Sequence, residues 1–156
     1  MPLEIRRATA SDLPGILRMY GQPGLSDGAV LSLEAAAKVL RRIETYPDYR
    51  VFVAMAGGSL VGTFALLIMD NLAHLGAPSA VVEDVCVDER QRRSGVGRAM
   101  MAFAMKTAAE RGCYKLTLSS NIARASAHDF YRSLGFEQHG LSFRVTLGPS
   151  RTPQTE

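Results

Sequence analysis

The apolar residues of this chain switch between a period of two and a period near three and a half, and each switch marks an element. Leu3 to Arg7 alternates apolar and polar positions, which predicts a strand with one buried face. Thr9, Ser11 and Asp12 then offer caps for a helix carrying Ile16, Leu17 and Tyr20. After a loop from Gly21 to Gly28, Ser32 and Glu34 open a second helix on which Ala36, Val39, Leu40 and Ile43 share a face, and Pro47 ends it. Arg50 to Ala56 and Ser59 to Met69 are β-rich runs divided by Gly57-Gly58, the signal of an antiparallel hairpin. A loop containing Gly76 and Pro78 leads into a strand over Ala80 to Val87. The third helix runs from Gly95 to about Arg111, with Val96, Met100, Phe103, Ala104 and Thr107 at helical spacing and Gly112 as a left-handed stop. Tyr114 to Ser119 returns as a strand, Ala125 to Leu134 forms a helix closed by Gly135, and Leu141 to Leu147 is the last strand.

This order predicts an α+β fold: a mixed, mostly antiparallel central sheet flanked by helices. The 156 residues suffice for one domain over 1–148 with its own core, followed by a polar tail, 149–156, expected to fray. Hydrophobic residues make up 47% and charged residues 21%, a globular balance. A net charge of +3, with basic and acidic residues interspersed, argues against a nucleic-acid partner. The longest apolar run, Leu60 to Met69, is too short to span a bilayer. The N-terminus lacks the apolar stretch and small-residue cleavage site of a signal peptide. Cys86 and Cys113 read as buried thiols without metal-ligand spacing, so a reducing, cytoplasmic setting is expected and no metal.

The stretch that carries chemistry is Arg92-Arg93-Ser94-Gly95-Val96-Gly97, which joins the run Val81 to Val87 to the third helix. Gly95 and Gly97 have no Cβ to hold a ligand away, so N–H groups of the turn and first helical turn can converge on a diphosphate at the positive end of the helix dipole. Arg90, Arg92, Arg93 and Arg98 add charge in a forked geometry that suits phosphate. The plain alternative is a strand-to-helix turn with solvated arginines. Two familiar phosphate motifs are excluded. No Gly-Lys pair exists for a nucleotide P-loop, and a dinucleotide fingerprint needs a small residue where Met100 stands, a side chain expected to block close helix packing.

That stretch and the block Ala127-His128-Asp129-Phe130-Tyr131-Arg132-Ser133-Leu134-Gly135-Phe136 resemble, in order, the two signatures of the GNAT superfamily, general-control-related N-acetyltransferases that use acetyl coenzyme A (acetyl-CoA). The resemblance covers essentially the whole chain, most strongly Val81 to Val145. It implies that the backbones of Val85, Cys86 and Val87 bind the pantetheine amides like an added strand. It further implies that Arg92, Arg93, Ser94, Gly95, Val96, Gly97 and Arg98 hold the pyrophosphate. Many members touch the cofactor with an asparagine seven residues before the tyrosine. That position is Arg124 here and the nearest asparagine is Asn121, which leaves the role to either. Family members often dimerise, so a homodimer is compatible with the resemblance.

Acetyl transfer to an amine sets two chemical requirements. A protonated amine, with a pKa near ~10, must lose a proton before it can attack a thioester. By simple alternation Glu83 shares a face with Val85 and Val87 while Asp84 shares one with Cys86, so Glu83 is expected to be the base and the one carboxylate facing the cleft, with Asp84 in reserve. The departing thiolate needs a proton, and Tyr131 resembles the family's general acid. A backbone N–H of the central strand is the family-like donor to the oxyanion. His128 reads as an exposed or capping residue rather than a catalytic one, and His74 and His139 as loop residues at the acceptor rim. The acceptor implied is a small-molecule amine, since segments such as Val82-Glu83-Asp84-Val85 and Leu118-Ser119-Ser120-Asn121 look like those of amino-sugar-phosphate and aminoalkylphosphonate acetyltransferases. A peptide or protein acceptor is the enzyme alternative. A non-catalytic acyl-CoA-binding regulatory module is the alternative of another class.

Overall fold

The computed structural model describes residues 2–25 and 28–148, so the expected tail 149–156 lies outside them. The chain divides into two units, Met1–Leu118 and Ser119–Glu156. The first contains a sheet of β1 (Leu3–Arg7), β2 (Tyr49–Ala56), β3 (Ser59–Met69), β4 (Ser79–Val87) and β5 (Leu116–Leu118), in spatial order β1-β2-β3-β4-β5. Its helices are α1 (Leu13–Tyr20), α2 (Leu33–Glu44) and α3 (Val96–Glu110). The first four strands pair antiparallel, and β4 pairs parallel with β5 across the α3 crossover. This is the mixed, mostly antiparallel sheet that the pattern of residues predicts.

Local chemistry explains most boundaries. Ser32 Oγ accepts from Ala35 N at 3.2 Å and starts α2. Gly57 and Gly58 have φ of 55° and 78°, which closes the β2–β3 hairpin in the geometry that matches strand twist. At the entry to α1, Asp12 accepts from both guanidinium nitrogens of Arg6 at 2.8 and 2.9 Å and from Thr9 N at 2.7 Å. The Arg6 hydrogen bonds hold that buried carboxyl down to about 2.

The sheet is covered on both faces. On one, Ile16 and Met19 of α1 pack with Val53 and Leu60, and with the half-buried Tyr20 and Cys86, while Leu13, Ala36 and Leu40 join α1 to α2. On the other, Phe103 of α3 meets Phe52 and Phe64 at centroid distances of 5.2 and 6.3 Å. Met100 is fully buried there, and a Cβ added at Gly62 would come within 2.5 Å of its Sδ. The large side chain at Met100 therefore does not keep the helix away. Gly62 on the neighbouring strand makes the room that a small residue in the helix would otherwise make.

In the second unit α4 (Ala125–Ser133) closes near Gly135, whose φ is 92°. The expected final strand is not formed. Among the described residues, 141–147 have no ladder partner, and Leu141, Phe143, Val145 and Leu147 are exposed. Alternation describes a chain that can lie on a sheet, whereas a strand exists only where a second backbone takes up its N–H and C=O groups. The expected Tyr114–Ser119 strand likewise shortens to the three residues that face Ala80, Val81 and Val82.

Candidate active site

The site in the first unit begins where β4 and β5 part. Their ladder runs only from Ala80↔Leu116 to Val82↔Leu118, so from Glu83 to Val87 the β5-facing edge of β4 has no ladder partner among the described residues. From Val85 to Val87 that edge carries no ladder bond among the described residues, and Val87 O accepts from Gln22 Nε2 at 3.4 Å.

A bulge sits at the parting. Ala65 pairs with Glu83 and Thr63 with Cys86, which sets both Asp84 and Val85 against the single residue Phe64. Asp84 takes the left-handed conformation this requires, with φ 53°. The extra residue overturns the alternation argument. Thr63 and Ala65 lie on one face of β3, so their partners Cys86 and Glu83 share a face as well, which the sequence assigned to opposite ones. Asp84 also lies close to the two phenols on that side. Burial raises the pKa of Tyr20 and Tyr49, and the charge of Asp84 raises both further. The Tyr20 phenol lies beside the Thr63 hydroxyl, which donates to Phe52 O at 2.9 Å. This stretch of β4 thus places two carboxylates near two tyrosines, where the sequence suggested one carboxylate facing a cleft.

Both carboxylates reach solvent, yet burial raises the pKa of each, and the charge of Asp84 raises Glu83 further. Neither makes an ion pair among the described residues. A carboxylate with a raised pKa is a stronger base than a free one, and an ammonium ion placed beside the pair would relieve their repulsion.

The turn before α3 is the second part. Arg93 and Gly95 are left-handed, with φ of 63° and 90°. The first intrahelical bond runs from Ala99 N to Gly95 O at 3.0 Å, so the N–H groups of Val96, Gly97 and Arg98 precede the helical ladder. The arginines divide in a way the sequence did not reveal. Arg90 binds Asp88, its Nη2 lying 3.0 Å from Oδ2, and Arg92 lies 3.5 Å from Glu89. Asp88 is buried, also accepts from Arg90 N at 2.9 Å, and is held below the usual carboxylate range by Arg90. Arg90 and Arg92 therefore brace the turn, while Arg93 makes no ion pair among the described residues.

In the second unit, Asn121 Oδ1 accepts from Ala123 N at 2.9 Å, and its carbonyl meets Arg124 N at 3.0 Å and His128 Nε2 at 2.8 Å. Both side chains serve the start of α4, as expected for a capping His128. Tyr131 lies between Phe130 and Phe136, at centroid distances of 5.2 and 5.8 Å, and burial raises its phenol while Arg124 opposes the rise. Ser120 was not singled out in the sequence. Its Oγ is buried and has no hydrogen-bond partner among the described residues. His74 stacks on Tyr114 at 4.2 Å, and His139 is exposed.

The family model for the acetyltransferase (GNAT) family matches residues 25–136, which hold the parted strand, the left-handed turn and the Tyr131 block. The chain belongs to the GNAT family. Glucosamine 6-phosphate N-acetyltransferase of Trypanosoma brucei brucei is 31% identical over 93% of this chain and 96% of its own length. An aminoglycoside N(6')-acetyltransferase type 1 of Stenotrophomonas maltophilia is 29% identical, over 94% and 95%. A solved structure from Agrobacterium tumefaciens str. C58 is 34% identical with a TM-score of 0.86, covering 92% of this chain and 99% of that one. This GNAT protein is accordingly an acetyl-transfer enzyme. Among the described residues no helix is long and apolar enough to cross a membrane, and no group of His, Cys, Asp and Glu could hold a metal ion.

Proposed function

We propose that the enzyme transfers the acetyl group of acetyl-CoA to a primary amine of a small molecule by direct attack within a ternary complex. The observation that carries this reading is the pairing of a parted β4 edge with a left-handed turn at the start of α3. The edge from Val85 to Val87 would take the amides of the pantetheine arm as an added strand. The N–H groups of Val96, Gly97 and Arg98, with Arg93, would take the pyrophosphate. Ser120 and Asn121 are the further candidates for contact, Ser120 because its hydroxyl is orphaned. Acetyl-CoA supplies the thioester carbonyl. The remaining work falls to the protein.

Glu83 would accept the ammonium proton directly or through one water, and Asp84 would hold the cation before that transfer. The elevated pKa of Glu83 suits this, because a base holds a proton better as its pKa approaches the working pH. Tyr131 would give its phenol proton to the departing thiolate. Its burial keeps the phenol protonated until a charge develops beside it. A small acceptor agrees with the named activities of the relatives, and Cys86 and Cys113, which form no disulfide among the described residues, are compatible with a reducing, cytoplasmic setting.

The test is thiol release from acetyl-CoA with a panel of amino sugars and their phosphates, aminoglycosides, polyamines, aminophosphonates and peptides. Turnover with a small amine, saturating in both substrates, is the expected result. Tight acetyl-CoA binding without turnover for any amine would replace the enzyme with a binding module, and turnover confined to peptides would replace the acceptor class.

A further inference from the structure

Gln22 stands just past the last turn of α1, half-buried, and its side-chain amide reaches two parts of the site. Its Oε1 accepts from Glu89 N at 2.9 Å, in the short helical turn Glu89–Gln91 that leads to the left-handed turn before α3. Its Nε2 faces Met19 O at 3.1 Å, Cys86 Sγ at 3.2 Å and Val87 O at 3.4 Å. These partners settle which end of the amide is which, because an N–H meets its oxygen and carbonyls meet its nitrogen. A cap for the end of α1 would need only the Met19 bond. The reach to Val87 and Glu89, 65 and 67 positions along the chain, is more than a cap requires.

Val87 O belongs to the open edge of β4. Asp88 N donates to Val61 O at 2.9 Å, toward β3, and successive residues of a strand turn their backbone groups to opposite edges, so Val87 turns its carbonyl away from β3. Gln22 is thereby bonded at once to the edge that would take the pantetheine arm and to the segment that leads into the diphosphate turn. Its bond to Val87 O is the longest of the three and can be given up. Two N–H groups face three acceptors, so when a pantetheine amide takes Val87 O, both hydrogens keep Met19 O and Cys86 Sγ. The carbonyl is aimed before the ligand arrives, and the hold on Glu89 N persists afterwards.

We propose that Gln22 is a positioning residue for the coenzyme: it ties the open end of β4 to the segment before α3, so that both halves of the site engage one ligand together. This rests on the proposed reading of that edge as the pantetheine site. A ligand held at two linked places gains affinity only while their spacing matches its own. Loosening the tie therefore penalises a ligand that spans both halves and spares one that occupies the turn alone. In this role Gln22 touches neither the acceptor amine nor the thioester, so its loss acts on coenzyme binding and not on the chemical step.

Calorimetry compares acetyl-CoA with its nucleotide half, phosphoadenosine diphosphate, which lacks the pantetheine arm. The unaltered protein should bind acetyl-CoA more tightly. Gln22→Met, similar in length but without the amide, should weaken acetyl-CoA by about tenfold, the scale of one or two lost hydrogen bonds, and leave the nucleotide within about twofold. In turnover it should raise KM for acetyl-CoA with kcat nearly unchanged. Unchanged affinity for acetyl-CoA overturns the proposal. So does equal weakening of both ligands, or a fall in kcat without a rise in KM, either of which would make Gln22 a support for the fold. Should the methionine variant not fold, Gln22→Glu keeps an acceptor for Glu89 N, loses the donors and should show the same selective loss. In the unaltered, ligand-free protein the amide of the exposed Glu89 should exchange slowly with solvent deuterium, and exchange at the rate of an unstructured peptide would remove the tie. Equal binding of both ligands by the unaltered protein would instead refute the edge as the pantetheine site, and the role of Gln22 with it.

Discussion

β4 is two strands in one. From Ala80 to Val82 it is paired on both edges, and Ala80 and Val82 are 0% and 1% exposed. From Glu83 to Val87, among the described residues, it has a ladder partner on one edge only and two carboxylates without an ion pair, and it holds Asp84 in a left-handed conformation. The first half obeys the rules of a buried strand. The second half breaks three of them within a few residues: alternation, edge pairing and charge pairing. Such local departures cost free energy that the paired half must offset, and they gather where a ligand or a reaction needs them. The difference teaches that one strand can supply both rigidity and chemistry when a neighbouring strand ends early.

The comparison is broken most completely in the paired half. Val82→Asp places an uncompensated charge where nothing can hydrate it, so a loss of at least ~3 kcal/mol is expected, read as loss of the cooperative unfolding transition in urea. A stable Val82→Asp protein would show that this half is not the support it is taken to be. The open half should answer in rate instead. Glu83→Gln is expected to lower turnover by ~10²-fold at moderate pH, with recovery toward high pH where more free amine exists, at nearly unchanged stability. A pH profile that overlays the wild type would assign the proton transfer to Asp84 or to water. Tyr131→Phe should cost a similar ~10²-fold with acetyl-CoA, and less with a donor whose thiol is more acidic, since that leaving group needs less protonation. An equal deficit with both donors would make Tyr131 a packing residue.

Smaller effects sharpen the boundary. At Gly95 an added Cβ meets nothing within 4 Å, but φ of 90° strains any other residue. Gly95→Val should therefore distort the turn and weaken acetyl-CoA binding by ~10-fold, through strain of 1–3 kcal/mol, and unchanged affinity by calorimetry would remove the turn from the cofactor site.

Asp84→Asn should have the smallest effect on the fold and of opposite sign. Burial raises the Asp84 pKa in the folded state, so its contribution to stability is fully present below the unfolded value of 3.8 and is lost as pH rises through the folded value. Asn removes that charge and tolerates the left-handed backbone, so the variant should melt slightly higher at pH 7 while acceptor affinity falls. Asp12 behaves in the reverse sense. Its pKa is lowered to about 2, so its stabilisation is present above 3.8 and is lost as pH falls toward 2. A melting temperature for Asp84→Asn below the wild type at pH 7 would contradict the assignment of strain to the charge.

The residues that determine this protein locally are all visible in its sequence. Gly57-Gly58 turns the hairpin, Ser32 caps α2, Gly112 and Gly135 stop helices, and Arg92 to Gly97 announces the left-handed turn before α3, because each acts through its own backbone or that of near neighbours. What the sequence alone left undecided depends on residues far apart. The bulge at Asp84 is counted only against Phe64 of β3, so the faces of Glu83 and Cys86 follow from pairing and not from alternation. Gly62 matters only because Met100 lands on it from 38 positions away, and the pairing of Arg90 with Asp88 and of Arg92 with Glu89 is seen only in the structure. Leu141 to Leu147 shows the limit most clearly. Its alternation prescribes which side chains share a face, but hydrogen bonding across strands is a property of two backbones, and a single chain's sequence does not specify the second.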